Sequence, residues 1–205
     1  MASHKLGYIT ASIVSDFLTG KDAETPISGT ITACSKIASE RCDLEGICLY
    51  DELYDGFSGN KYTELGDEYE PDAITSYEAI KFCDVVDQQK VSQLGKWLSC
   101  TPDGYVGKDG LVEAKIVSTI KEWLHPDIVK NRTKDHNDQI QFQLMVTGRK
   151  WCDLILHQPR FIHPYNTRII RINVDENWQK FAKTRLKICE QKISEMIQNL
   201  KKEFL

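Results

Sequence analysis

Residues 97–117 constrain the fold more tightly than any other stretch. WLSC and GLVEAKIV are short apolar runs of strand length, and TPDGYVGKDG joins them. Asp109-Gly110 within that connection is a strong hairpin signal, since turns matching strand twist need positive φ and glycine supplies it without steric cost. The spacing predicts two neighbouring strands joined by a β-hairpin. Side chains two apart on a strand point the same way, so Glu113 and Lys115 share a face from which Ala114 is turned. Asp103, at the far side of the hairpin, is then able to approach Glu113.

Two readings of that arrangement compete. Asp-Gly turns and Glu-x-Lys strands are ordinary features of solvated surfaces, which is the structural reading. In the chemical reading, the two carboxylates and the Ala114 carbonyl form a hard-oxygen set suited to Mg²⁺ or Mn²⁺. A lysine beside such an ion can hold and help deprotonate water, or stabilise charge developing on a phosphate. The hairpin alone leaves both open.

The flanking pattern supplies the fold class. GYITASIVSDFLTG reads as a short helix, with Thr10 or Ser12 as its cap, an apolar stripe of Ile13, Val14, Phe17 and Leu18, and Gly20 as its stop. Residues 30–41 read as a second helix, and acidic, glycine-bearing 42–60 as a surface excursion. ELGDEYEPDAITSYEAIKF is helical apart from Pro71, so a helix either starts near Glu70 or passes through the proline with a kink. Its buried face is Ala73, Ile74, Tyr77 and Ile80. HNDQIQFQLMVTG predicts a helix with Ile140, Leu144 and Thr147 near one face and Gly148 as C-cap. WCDLILHQ and TRIIRINV read as strands. Asp175 or Asn173 caps a long last helix in which Trp178, Phe181, Ile188, Ile193, Met196, Ile197 and Leu200 recur at helical spacing. Helices, hairpin, helix, two strands and helix make a mixed α/β domain around a central sheet, expected to be a single domain over 1–205.

Composition narrows the function classes. No apolar run nears the ~20 residues that cross a bilayer, and MASHKLGYITAS lacks the apolar core of a secretory signal. The expectation is an intracellular protein, in a bacterial cytoplasm or in the host cell of a virus, with no membrane partner. Seven scattered cysteines without a C-x-x-C pair argue against zinc ribbons, iron–sulfur clusters and disulfide scaffolds. The net charge of −4 hides an asymmetry: nine Lys and Arg face nineteen Asp and Glu in 1–110, but seventeen face eleven in 111–205. A local basic surface is thereby permitted, and Lys130, Arg132, Lys134, Arg149 and Lys150 are either solvated surface or contacts to a nucleic-acid backbone.

Four segments, in order, carry a resemblance. KLGYITAS at 5–12, GDEYEPDA at 66–73, the hairpin SCTPDG with LVEAK at 99–115, and DQIQFQLMVTGRKWCDL at 138–154 resemble the motifs of lambda exonuclease and the YqaJ-like viral recombinases. These form a branch of the PD-(D/E)XK nucleases. The resemblance implies the PD-(D/E)XK fold, a central mixed sheet flanked by helices. It implies metal ligation by Asp103, Glu113 and the Ala114 carbonyl, with Glu70 holding a metal directly or through water, so one or two Mg²⁺ ions with Mn²⁺ as substitute. Lys115 would position the nucleophilic water, and Gln141, the second glutamine of the Q-x-Q pair, would orient Lys115 or that water. Ser12, Thr10 and Lys5 would bind a terminal 5′-phosphate near a helix start. Lys5 stands where the family has arginine, and Ile116-Val117 where it often has Cys-Pro.

The implied activity is a 5′-to-3′ exonuclease that degrades one strand of linear double-stranded DNA to mononucleotides and leaves a 3′ single strand for recombination. A ring-shaped homotrimer and a single-strand annealing partner come with the resemblance. Two alternatives stay open: an endonuclease or resolvase of the same fold, and an inactive DNA-binding or assembly protein that kept it.

Overall fold

The computed structural model describes residues 6–47 and 61–204. These fall into two compact units, one formed by 6–47, 91–100 and 175–204 and the other by 61–90 and 101–174. Within the first unit, β1 (Ile9–Thr10), β2 (Ser92–Leu94) and β3 (Leu98–Cys100) form a sheet in the order β1-β3-β2, the first pair parallel and the second antiparallel. Its helices are α1 (Val14–Leu18), α2 (Ser28–Leu44) and, at the C-terminal end, Glu176–Phe204. The last begins where Asp175 Oδ1 accepts the Trp178 amide at 3.0 Å, so Asp175, one of the two expected residues, is the cap. Its buried seam is Ala182, Leu186, Cys189, Ile193 and Ile197, with Arg185 wholly buried among them. Arg185 donates to the carbonyls of Thr19, Asp22 and Ala23, so a charged residue fixes the loop after α1 where periodicity suggested only apolar contacts.

Neither Thr10 nor Ser12 caps α1: Ile13 occupies the cap position without a side-chain bond, and the two hydroxyls meet each other at 3.2 Å. Residues 30–41 lie inside α2. The expected excursion at 42–60 begins only after Leu44, and most of it lies outside the described residues.

The second unit carries the hairpin. Helix α3 (Lys61–Lys81) runs through Pro71, which settles the choice at that residue in favour of one long helix. After it come β4 (Gly104–Val106), β5 (Gly110–Ile116), a single turn α4 (Ile120–Trp123), α5 (Ile128–Thr147), β6 (Trp151–His157) and β7 (Thr167–Asn173); the C-terminal helix of the first unit is α6. The sheet order is β4-β5-β6-β7, with β5 and β6 parallel and both outer pairs antiparallel. A mixed sheet flanked by helices is the architecture expected from the sequence.

One expectation about the hairpin is corrected. WLSC is not the partner of GLVEAKIV: β3 ends in the three-stranded sheet, and GYV of β4 pairs with β5 through Tyr105 opposite Leu111. Pro102 explains the break, because it lacks the N–H a continuing ladder would need. The chain turns back at Gly107, whose φ is 52°, and not at the expected Asp109-Gly110, while Gly104 and Gly110 let neighbouring side chains approach the two strands closely. A Cβ on Gly104 would lie 2.1 Å from Val85 Cγ1, and one on Gly110 would lie 2.2 Å from the Trp151 ring.

The period of two along β5 then sorts its side chains. Leu111 packs with Ile140, Leu144, Cys152, Leu154 and Leu156 in one core, built with α5. Val112 and Ala114 pack with Ala73, Ile74, Tyr77 and Ile155 in a second core, built with α3. Glu113, between those two sets, projects with Leu111 toward α5. Gly148 ends α5 at φ 68°, as the sequence predicts for the C-cap.

Candidate active site

The site grows from the centre of β5. Glu113 is buried, with its side chain 2% exposed, and a buried carboxylate must find donors. Lys115, two residues along the same strand, places Nζ 2.6 Å from Glu113 Oε1. Helix α5 supplies the rest: Gln139 Nε2 donates to Oε1, and Gln143 Nε2 donates to Oε2 at 2.7 Å. Four residues apart, Gln139 and Gln143 sit one turn apart on a single helix face.

Gln141, the glutamine expected to orient Lys115 or its water, is two residues from each and points to another side of the helix. Its Nε2 donates to the Asn173 carbonyl at 2.8 Å. The amides at the carboxylate are therefore Gln139 and Gln143, and helical spacing is the reason. Gln143 had its own signal in the sequence, a second glutamine in register with Gln139, which the Q-x-Q pair obscured.

Asp103 lies at the entrance to β4 and accepts the Ala114 amide through Oδ2 at 2.7 Å. This bond pins the aspartate across the hairpin onto the backbone between Glu113 and Lys115, so the approach read from the sequence is present. Burial pushes the Asp103 carboxyl well above its ordinary value, and repulsion from Glu113 and then Glu70 adds to the shift. Glu70, on α3, accepts from Gln89 Nε2 at 2.8 Å. Its carboxyl is also raised, first by burial and then by Glu113, although the Gln89 bond works the other way. Burial opposes the charge on Lys115, but attraction to Glu113, Asp103 and Glu70 outweighs it and holds the ammonium above its usual value.

Three carboxylates therefore interact around one ammonium, Glu113 buried and the other groups partly exposed. Among the described residues no three His, Cys, Asp or Glu side chains are close enough together to hold a metal ion by themselves. Glu113 is instead turned onto Lys115 and the two amides. The donor chemistry nevertheless fits a hard divalent cation: oxygen ligands only, mutually repelling, with negative charge in excess of the single lysine. Asp103, Glu113 and the Ala114 carbonyl would hold it, with Glu70 beside them.

Thr10 and Ser12 belong to the first unit, and Lys5 lies outside the described residues. Of the basic residues, Arg132 pairs with Glu122 at 2.6 Å, while Arg149 donates to the Gly107 carbonyl and Lys150 lies 3.2 Å from Asp109. The last two brace the hairpin turn.

Comparison with known proteins places this geometry in context. The model of the YqaJ-like viral recombinase domain matches residues 3–150. An alkaline exonuclease from Laribacter hongkongensis superposes with a TM-score of 0.77 at 23% identity, covering 98% of this chain and 95% of its own. The same exonuclease in complex with dAMP gives 0.77 at 24% identity, over 98% and 94%. A phage-related exonuclease from Haemophilus somnus 129PT gives 0.77 at 15% identity, over 94% and 96%. No curated protein matches. At these identities the likeness is one of fold, the PD-(D/E)XK-like α/β fold of alkaline exonucleases.

Proposed function

The chain belongs to the YqaJ-like viral recombinase domain family, and on that premise we propose that it is a metal-dependent deoxyribonuclease, a 5′-to-3′ exonuclease acting on linear double-stranded DNA. It degrades one strand to mononucleotides and leaves a 3′ single strand for recombination. One observation carries the reading: Glu113, buried, and Glu70 and Asp103, partly buried, interact with a single ammonium, with two of the carboxyls pushed up by desolvation and mutual repulsion. Such a cluster is costly to fold and is the kind of perturbed group that collects at functional sites.

The chain's own groups divide the labour. Asp103 and Glu113 are the ligand carboxylates, Asp103 held in place by the Ala114 amide and Glu113 by two glutamine amides. Mg²⁺ or Mn²⁺, as one ion or two, would supply Lewis-acid polarisation of the phosphate and a more acidic water. Lys115 orients the attacking water and offsets charge on the phosphoryl oxygens through its ammonium. The Ala114 carbonyl would supply a backbone oxygen donor, and Glu70 would help hold the ion from α3. Thr10, Ser12 and Lys5 are assigned to the 5′-phosphate of the DNA end. A homotrimer and a single-strand annealing partner complete the proposal, both drawn from the family.

The test compares three substrates in millimolar Mg²⁺: linear duplex with a 5′-phosphate, the same duplex with a 5′-hydroxyl, and a covalently closed circle. The expected order is rapid loss of the first, slower loss of the second and survival of the third. Cleavage of the circle would replace the exonuclease with an endonuclease, and survival of all three would remove the enzyme.

A further inference from the structure

Helix α5 presents more to the site than its two glutamines. Arg132, His136, Gln139 and Gln143 follow at intervals of four, three and four, which places them in one stripe along a helix. The stripe reaches Glu113 through Gln139 and Gln143, so His136 stands about one turn back toward the helix start. Among the described residues, the buried side-chain polar atoms without a hydrogen-bond partner are Arg132 Nε, His136 Nε2 and Gln143 Oε1. All three belong to this stripe. Buried polar atoms are nearly always satisfied, so a concentration of unsatisfied ones on a single face beside a reactive cluster points to a group that arrives from outside.

His136 is the most telling of the three. Arg132 already has the Glu122 carboxylate at 2.6 Å, and Gln143 spends its amide nitrogen on Glu113. His136 has no such mate. Burial holds its imidazole down at about 4, with Lys115 and then Arg132 adding to the shift, while Glu113 and Asp135 oppose it. The ring is therefore neutral at working pH and acts through hydrogen bonding rather than charge. Lys115 and Arg132 lie near the ring but are engaged by Glu113 and Glu122, so a phosphodiester attacked at Lys115 would meet His136 as an uncommitted hydrogen-bond donor.

We infer that His136 is a substrate-contacting residue, whose Nε2–H donates a hydrogen bond to a non-bridging oxygen of the phosphodiester seated beside Lys115. The inference rests on the nuclease reading above for the identity of the anion. It adds a positioning contact from α5 that neither the hairpin nor the ligand carboxylates provide.

Two measurements test it. In the first, wild type, His136→Ala and His136→Gln cleave a linear 5′-phosphorylated duplex with Mg²⁺. The alanine variant is expected to lose roughly 10- to 100-fold in kcat/KM, the worth of one hydrogen bond to a charged group, with an unchanged melting temperature. Glutamine, whose amide offers an N–H at similar reach, is expected to restore most of the loss. Wild-type rates in the alanine variant overturn the inference. So does equal impairment of both variants with a lowered melting temperature, which would make the ring a packing element. In the second, the ¹⁵N resonances of the His136 ring are followed in wild type with Mg²⁺ and a duplex whose 5′-terminal linkages are hydrolysis-resistant phosphorothioates. A shift at Nε2 is expected, and its absence overturns the contact. A wild-type protein that cleaves no DNA yet shows that shift would cost the nuclease reading while leaving the phosphate contact standing.

Discussion

Two buried carboxylates occupy opposite faces of the same sheet and live under opposite electrostatic conditions. Asp153, on β6, is fully buried on the α3 side and is fully answered. Arg171 of β7 donates through Nε at 2.5 Å and a second nitrogen at 2.9 Å, and the Tyr77 hydroxyl donates at 2.8 Å. The guanidinium also lies over the Trp151 ring, 3.5 Å from its centre. One charge meets one charge with its hydrogen bonds completed, an arrangement that holds β6, β7 and α3 together. Glu113, on β5, meets one lysine shared with Asp103 and Glu70, and amides fill its remaining valence. The Asp153 cluster is closed, and the Glu113 cluster has charge left over. That surplus is what a cation-dependent reaction centre requires and what a purely structural pair avoids.

The contrast is broken most severely by Lys115→Ala. Cleavage is expected to fall by ~10²–10⁴-fold, the usual worth of a positioned proton-handling group, while duplex binding persists. Nucleotide release together with fluorescence anisotropy checks both halves; retained activity would remove the lysine from the chemistry. At Asp153 the effect moves from activity to stability. Asp153→Asn leaves Arg171 without its counter-charge and should cost on the order of 2–3 kcal/mol in urea unfolding. That is less than a fully buried pair would lose, because the Arg171 side chain is 46% exposed and regains water.

Smaller changes sharpen the comparison. Gln143→Ala should slow cleavage by roughly tenfold, since it frees one oxygen of Glu113 to rotate. Gln141→Ala should leave the rate unchanged, and steady-state kinetics on the two variants separate them. The least effect, and the one of opposite sign, is Asp103→Asn in metal-free protein. The folded carboxyl of Asp103 lies above its unfolded value. Between those two values the native state binds more protons than the unfolded chain, so stability falls as pH rises through that window. Asparagine abolishes that fall, so the variant should match or exceed wild type by about 1 kcal/mol near pH 8 without divalent cation. Urea unfolding at pH 4 and pH 8 checks the sign.

These differences also mark where sequence reasoning succeeds. The Asp103–Glu113–Lys115 arrangement is readable because a strand's period of two is a local rule that holds here, whereas the positive-φ glycine of the turn is Gly107 and not Gly110, which lies inside β5. The strand partner was misread because WLSC has as much strand character as GYV. Only the proline at 102 argues against its continuing into the hairpin, while the fit of Gly104 against Val85 becomes visible in three dimensions. The glutamines show the same limit. A two-residue motif drew attention to Gln141, whereas a helix answers to spacings of three and four, and those select Gln139 and Gln143. Asp153 and Arg171 were legible only as members of strands, because their pairing depends on the β6–β7 register that sets them opposite each other. Arg185 carried no signal at all: nothing in a helical stripe says that one buried position will be charged and will hold the carbonyls of a distant loop.

Isothermal titration of Mg²⁺ into the metal-free protein, beside the same titration of Asp103→Asn, tests the surplus-charge argument most directly. Saturable binding at millimolar or lower concentration in wild type, lost in the variant, is the expected result. Equal binding in both proteins, or no binding in either, would contradict it.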